Sequence, residues 1–393
     1  MRKKSKKLLA EAPKKESMLN RSIPDMSRRG SSVSRNDFGV IEPERPRRNW
    51  KKIFKRIFIT LAVVALLAGG WVGWKFVSNS AKVFGWNNLF GLFHSTKLKG
   101  EDEGRVNILL AGNSADDPGH GGAELTDSIM IASINTKNHT GFLLSVPRDL
   151  YVDIPDNGYA KINETYQDGE RDGFSDPDYA KGGMGLLQKV IDQNFGIKTE
   201  YYALVNYSAL REAVDTVGGI TVNIQSENPR GLYDPSPDLT THQPLVNLSN
   251  GENKLNGQQA LGLARARGSS MNAYGFPRGD FDRAEHQRMV LIALKDKAGS
   301  LGTLSNPIKV GQLFDSMGNN VKTDLQLAEA RRLYEIDKKV PSSSLASAAL
   351  NDGKDHELLT SYRTRTGQSA LVPTAGVDDY SEIQTYVREL LSK

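Results

Sequence analysis

The sequence predicts an α/β sandwich preceded by one transmembrane helix. Three observations carry that expectation: an uncharged apolar run near the N-terminus, a reversal of charge across it, and strand and helix signals that interleave from Val106 onward. At 393 residues and 38% hydrophobic content, the chain has enough apolar side chains for one large core or two ordinary ones.

The apolar run is IFITLAVVALLAGGWVGW, Ile57 to Trp74, with Trp71 and Trp74 at its far end. Ile53 and Phe54 before it and Phe76 and Val77 after it bring the segment to the roughly 20 residues a bilayer crossing needs. Residues 53–77 therefore read as a membrane anchor. Residues 1–56 carry 18 Lys and Arg against 6 Asp and Glu, whereas the remainder carries 33 against 40. Lys51, Lys52, Lys55 and Arg56 flank the segment on its N-terminal side, which places the N-terminus in the cytoplasm and the acidic bulk outside, in a single-pass topology at the cell membrane. A cleaved signal peptide with Ser78 and Ser80 at its cleavage site is the competing reading; the long basic stretch ahead of the run favours an uncleaved anchor.

Residues 1–52 mix Lys, Arg, Ser and Pro with few apolar residues, the composition of a disordered tail. Its charge is read as attraction to anionic membrane lipid beside the anchor, and no nucleic-acid partner is expected. Residues 78–104, with AKVFGWNNLFGLF, read as a juxtamembrane spacer. No cysteine is present, so the outer domain, residues 105–390, is expected to rest on its core alone.

Within that domain NILLAG, SIMIASI (Ser128 to Ile134) and TGFLLSV (Thr140 to Val146) read as buried strands. GMGLLQKVIDQNFG has helical period, with Met184, Leu187, Val190 and Ile191 on one face and Gly196 as its stop. YYALV is a strand, YSALREAVDTVGG a helix stopped by Gly218 and Gly219, and ITVNI a further strand.

Several chemistries are excluded by their surroundings. GNSADD, Gly112 to Asp117, places Ser114 after a strand as a nucleophile elbow would, but DDPGHGG follows where an elbow requires a helix. The six histidines have no metal-ligand spacing, and there is no phosphate-loop motif. What remains is a group of arginines beside carboxylates. SVPRDLYVDIP puts Arg148 and Asp149 at the end of a buried strand. ALGLARARG sets Arg265 and Arg267 two apart, so they share one side only if a helix ends near Arg265. GDFDRAEHQ offers Asp280, Arg283 and Gln287 on one face of a helix start. Singly, each arginine reads as a solvated surface charge, and the last set as a surface ion-pair network.

Together, TDSIMIASI, SVPRDLYVDIP, AKINETY, VDTVGGITV, LNGQQALGLARAR and GDFDRAEHQ, in this order, resemble the LytR-CpsA-Psr family of cell-envelope glycopolymer transferases, from about Val106 to the end of the chain. The resemblance implies an α-β-α sandwich around a central mixed sheet. It also implies a phosphotransferase that moves a glycopolymer from a polyprenyl-pyrophosphate carrier to peptidoglycan or another envelope acceptor. The implied pyrophosphate ligands are Arg148, Arg265, Arg267 and Arg283, with Lys161 and Gln287 close by, and Asp127 binds Mg2+ or Mn2+. Where the family usually has an aspartate and an arginine this chain has Ser114 and Leu125, so Asp116 or Asp117 is expected to supply a second metal ligand; His286 stands where an arginine is common. The chemistry suits these residue types independently. Charge grows on the leaving phosphate, and guanidinium forks with a divalent cation stabilise it. Asp280 or Asp127 serves as the proton acceptor; the sequence does not choose. Beside the transferase stand two other readings: a protein that only hydrolyses or binds polyprenyl pyrophosphate, and a non-catalytic envelope regulator.

Overall fold

The computed structural model of the chain describes residues 96–116, 124–238, 240–300, 318, 320–353 and 356–393. The basic tail, the apolar segment 53–77, the spacer as far as residue 95, and Asp117 all lie outside the described residues. Among the described residues no helix is long and apolar enough to cross a membrane.

The strands in chain order are β1 (Arg105–Gly112), β2 (Ser128–Asn135), β3 (Thr140–Val146), β4 (Tyr151–Ile154), β5 (Gly158–Lys161), β6 (Tyr201–Val205), β7 (Ile220–Ile224), β8 (Leu232–Pro237), β9 (Pro244–Leu248), β10 (Gly251–Leu255), β11 (Val321–Thr323), β12 (Leu345–Ala349), β13 (Leu359–Arg363) and β14 (Ser369–Pro373). The helices are α1 (Thr165–Arg171), α2 (Gly183–Phe195), α3 (Tyr207–Thr216), α4 (Gly257–Arg265), α5 (Asp280–Ser300), α6 (Leu327–Asp337) and α7 (Ser381–Ser392). Six strands form the central sheet in the order β11-β6-β1-β2-β3-β12. β1, β2 and β3 are an antiparallel meander, while β6 runs parallel to β1 and β12 parallel to β3, so the sheet is mixed.

The central strands are apolar on both faces because both faces are covered, which is why their sequences read as unbroken apolar runs. Leu109, Ile129, Ile131, Phe142 and Leu144 meet Leu187, Val190 and Ile191 of α2 and Ile383 and Val387 of α7. Val106, Ile108 and Ile134 point the other way, to Tyr201, Ile336 and Val340. Leu98 is buried in this second layer, so the core reaches back into the stretch read as spacer. A separate apolar cluster joins β7, β8, β9 and β10 to α3, α4 and α5 through Val214, Val222, Leu232, Val246, Leu263 and Val290. Each such side chain contributes about 1.5–3 kcal/mol when taken fully out of water.

Local chemistry sets the helix boundaries that matter for the site. The Asn206 side chain caps α3 by accepting from the Ala209 N–H. Asn256 and Gln259 form a reciprocal capping box that starts α4. A methyl group at Gly262 would lie 2.2 Å from the Leu245 carbonyl oxygen, so α4 approaches β9 as closely as it does only with glycine there. The strand boundaries of TGFLLSV, YYALV and ITVNI fall where the sequence puts them, and the helix before Gly218 and Gly219 ends at Thr216.

Candidate active site

Every site residue anticipated from the sequence and described in the structure, apart from Asp116, gathers at one end of the sheet. Asp127 immediately precedes β2, Arg148 follows β3, and Lys161 closes β5. Arg265 is the last residue of α4; Ala266 is extended (φ −66°, ψ 134°), so Arg267 leaves the helix on the same side as Arg265. The condition that the two-residue spacing imposed is thereby met. Asp280, Arg283 and Gln287 lie in the first turns of α5. Asp127, Arg148, Arg265, Arg267, Arg283 and Gln287 all line one cavity, and Asp280 and Asp149 border an adjoining hollow with Asp127 and Arg148.

Arg148 is the hub. Its Nη1 donates to Asp127 Oδ1 at 2.5 Å, and its Nε lies 3.6 Å from Asp280 Oδ2 and 3.7 Å from Asp149 Oδ2. Burial works against the Arg148 charge, but the Asp127 hydrogen bond, with Asp280 and Asp149 behind it, outweighs burial and raises its pKa. Lys161 Nζ donates to Asp149 Oδ1 at 2.7 Å. Asp280 Oδ1 stands 3.5 Å from Arg283 Nη1 and 3.6 Å from Arg267 Nη1, is buried, and makes no hydrogen bond; Arg148 Nε is in the same condition. Arg283 is the more deeply buried of these arginines, and burial pulls its pKa down. Partly buried ion pairs lose to desolvation much of what they gain in Coulomb attraction, so they add little net stability. Stabilising the fold does not account for five cations in one place, where Arg148 Nε and its neighbour Asp280 Oδ1 are both left without a hydrogen bond.

Tyr207, Asp234, Asp238 and Ser128, which the sequence did not single out, help to hold the cluster. Arg265 lies over the Tyr207 ring, 4.8 Å from its centroid, and 3.5 Å from Asp238. Buried Asp234 accepts from the backbone N–H groups of Arg267 and Gly268, which fixes the chain where it leaves α4. Gln287 accepts from the Ser128 hydroxyl at 2.9 Å and donates to the Ala264 carbonyl at 3.0 Å, so its amide ties β2, α4 and α5 together. Asp234 lies in the short strand β8 and Asp238 just beyond its end, neither with a periodic signal in the sequence, and only the fold brings them here. Asp149 had a signal, its adjacency to Arg148.

The whole cavity, arginine mouth included, encloses about 430 Å³, and away from the mouth it is lined by Leu110, Met130, Val205, Leu210, Leu261 and Leu291. One end is therefore cationic and the other apolar.

The sequence profile of the LytR_cpsA_psr family matches residues 87–365. The chain belongs to the LytR-CpsA-Psr family. The polyisoprenyl-teichoic acid–peptidoglycan teichoic acid transferase TagU of Oceanobacillus iheyensis is 32% identical over 233 residues, 59% of this chain and 63% of that protein, so the match spans just under two thirds of the relative. The regulatory protein MsrR of Staphylococcus aureus is 29% identical over 273 residues, 69% of this chain and 71% of that one. Among solved structures, B. subtilis TagV shares the fold with a TM-score of 0.53 at 23% identity, covering 73% of this chain and 97% of that one.

Within the LytR-CpsA-Psr pattern, the departures have physical consequences here. Ser114 is fully buried at the end of β1. Asp116 spends both carboxylate oxygens on the backbone N–H groups of Tyr207 (3.1 Å) and Ser208 (2.7 Å), at the start of α3. His286 is buried edge-on to Phe276 with centroids 5.6 Å apart, and burial lowers its pKa; it packs the helix and does not face the cluster. Among the described residues no group of three or more His, Cys, Asp or Glu is arranged to hold a metal. A magnesium ion that takes most of its ligands from phosphate and water needs only one or two carboxylates. Asp127, beside the mouth of the cavity, fits that limited role; Asp116, occupied at α3, does not.

Proposed function

We propose that this protein is a membrane-anchored phosphotransferase of the LytR-CpsA-Psr type. It moves a glycopolymer from a polyprenyl-pyrophosphate carrier to peptidoglycan or another envelope acceptor. One observation carries the reading: a single cavity has an apolar chamber at one end and a four-arginine mouth at the other, the shape and polarity of a lipid pyrophosphate. The names of the TagU relatives point the same way. The anchor at residues 53–77, with the domain outside, brings the site to a membrane-borne donor.

In the reaction the acceptor hydroxyl attacks the glycan-side phosphorus. A new O–P bond forms, the P–O–P bridge breaks, and polyprenyl phosphate leaves with the negative charge. Arg148, Arg265, Arg267 and Arg283 orient the pyrophosphate and take up that charge through bidentate contacts. Asp280, open to solvent on one side and with Oδ1 unbonded, receives the hydroxyl proton, while Asp127 holds Arg148 in place. Asp127 is the residue that would hold magnesium or manganese, which would supply further charge neutralisation.

The test is reconstitution of the full chain in vesicles with a labelled polyprenyl-pyrophosphoryl glycan and peptidoglycan. Label on peptidoglycan supports the transferase. Free glycan phosphate alone makes the protein a hydrolase, and no turnover of either kind rejects the reading.

A further inference from the structure

The hairpin that leads away from the arginine cluster carries an aromatic surface for which the pyrophosphate reading has no use. β4 and β5 pair with Tyr151 opposite Lys161 and Asp153 opposite Tyr159. Val152 and Ile154 turn into the core, so Tyr151, Asp153, Tyr159 and Lys161 share the outward face. Tyr151 lies between two other rings, 5.6 Å from the centroid of Tyr159 and 5.6 Å from that of Tyr362 on β13. Tyr159 is 47% exposed, one of two large apolar side chains on the described surface that are exposed to this degree. Its hydroxyl donates to exposed Asp378 at 2.7 Å, and Asp153 is exposed beside it. Packing alone does not call for a half-exposed ring at the rim of a tyrosine cluster.

We propose that this face is a pyranose-binding subsite that receives the first sugars of the donor glycan. The inference rests on the lipid-pyrophosphate reading and extends it. The aromatic face is electron-rich and attracts the weakly positive C–H bonds of a sugar ring, while Asp153 and Asp378 accept from its hydroxyls. The occupant follows from continuity. Lys161 belongs both to the ion-pair cluster, through Asp149, and to this face, and Tyr159 lies two residues further along the same strand, about 7 Å away. With the lipid in the chamber and the pyrophosphate on the arginines, the glycan must leave on the side away from the chamber. Neither Lys161 nor any of the three tyrosines lines that chamber.

Two probes separate the subsite from the reading it rests on: farnesyl pyrophosphate, and farnesyl pyrophosphate bearing N-acetylglucosamine, titrated calorimetrically into the full chain in detergent. The sugar-bearing probe binds the wild type more tightly, by roughly threefold to tenfold. Tyr159→Ala removes that difference and leaves affinity for the bare probe as it was, and Tyr159→Phe keeps most of the difference. Equal affinity of the wild type for the two probes overturns the subsite alone, as does a Tyr159→Ala variant that weakens both probes alike. Failure of the bare probe to bind the wild type overturns the lipid-pyrophosphate reading and the subsite with it.

Discussion

The mouth and the chamber are two halves of one cavity built on opposite principles. The mouth is made of charges that satisfy one another only in part: Arg148 is shared among three aspartates, and Asp280 Oδ1 stands between two arginines without a hydrogen bond. The chamber is made of Leu, Met and Val side chains from β1, β2, β6, α3, α4 and α5, where an empty volume has a cost but no charge is at stake. The difference teaches where each half gains its binding energy. On the proposed function, the mouth would gain it from fixed donors facing an anion, and the chamber from apolar area removed from water.

Another contrast on α5 sharpens this. Arg283 faces the mouth, whereas Arg288, five residues on, is buried against the sheet and donates to the hydroxyls of Ser145 (2.5 Å) and Ser347 (2.6 Å). Burial pulls the Arg288 pKa down to about 10. Both arginines are largely withdrawn from solvent on the same helix, yet Arg288 has neutral hydroxyl partners that fasten the helix to β3 and β12, and Arg283 has the unbonded oxygen of Asp280.

The largest expected effect lies at the hub of the mouth. Arg148→Ala should lower turnover by at least about 10²–10³-fold, the loss that follows removal of one charge-stabilising donor. Its thermal unfolding should report a stability loss of only about 1–3 kcal/mol, from the carboxylates left without their partner. Arg148→Lys should recover little activity, because an ammonium can keep one contact to Asp127 but cannot offer the planar, bidentate donors that a phosphoryl group requires. Near-wild-type turnover in the lysine variant would show that the mouth is not a pyrophosphate clamp.

An intermediate effect is expected in the chamber. Leu210→Trp fills apolar space without touching a charge, so affinity for a long-chain polyprenyl pyrophosphate should fall about tenfold or more, as two or so CH2 groups lose their burial at about 0.8 kcal/mol each. Affinity for inorganic pyrophosphate should stay constant. Equal loss for both ligands would mean that the two halves do not act separately.

The smallest effect is in salt dependence. Raising ionic strength should weaken pyrophosphate binding by about two- to fivefold, since the mouth is only partly screened by burial, and should leave binding of an uncharged polyprenol unchanged. A polyprenol whose affinity falls with salt in the same proportion would break the division of labour.

The sheet was legible because its central strands are buried on both faces and so spell continuous apolar runs, as in TGFLLSV. The β4–β5 hairpin was not, since four-residue strands are too short for alternation to register. Among the site residues, Arg265 and Arg267 were constrained by spacing alone: a helix end between them was required, and Ala266 supplies it. Asp116 illustrates the opposite case. A carboxylate in a glycine-rich loop had no periodicity to fix its direction, and the free N–H groups at the start of α3 claimed it. The chamber was invisible, because its lining comes from six separate elements whose apolar residues look like ordinary core.

Whether the cavity holds a lipid pyrophosphate can be read from lipid analysis of the full chain, extracted from its own membranes in mild detergent. Native mass spectrometry should find a polyprenyl phosphate or pyrophosphate bound one to one in the wild type, and should find it depleted both in Leu210→Trp and in the Arg265→Ala, Arg267→Ala double variant. A wild-type protein that carries no such lipid, or only the bulk phospholipids of the membrane, would rule out a lipid-pyrophosphate site in this cavity.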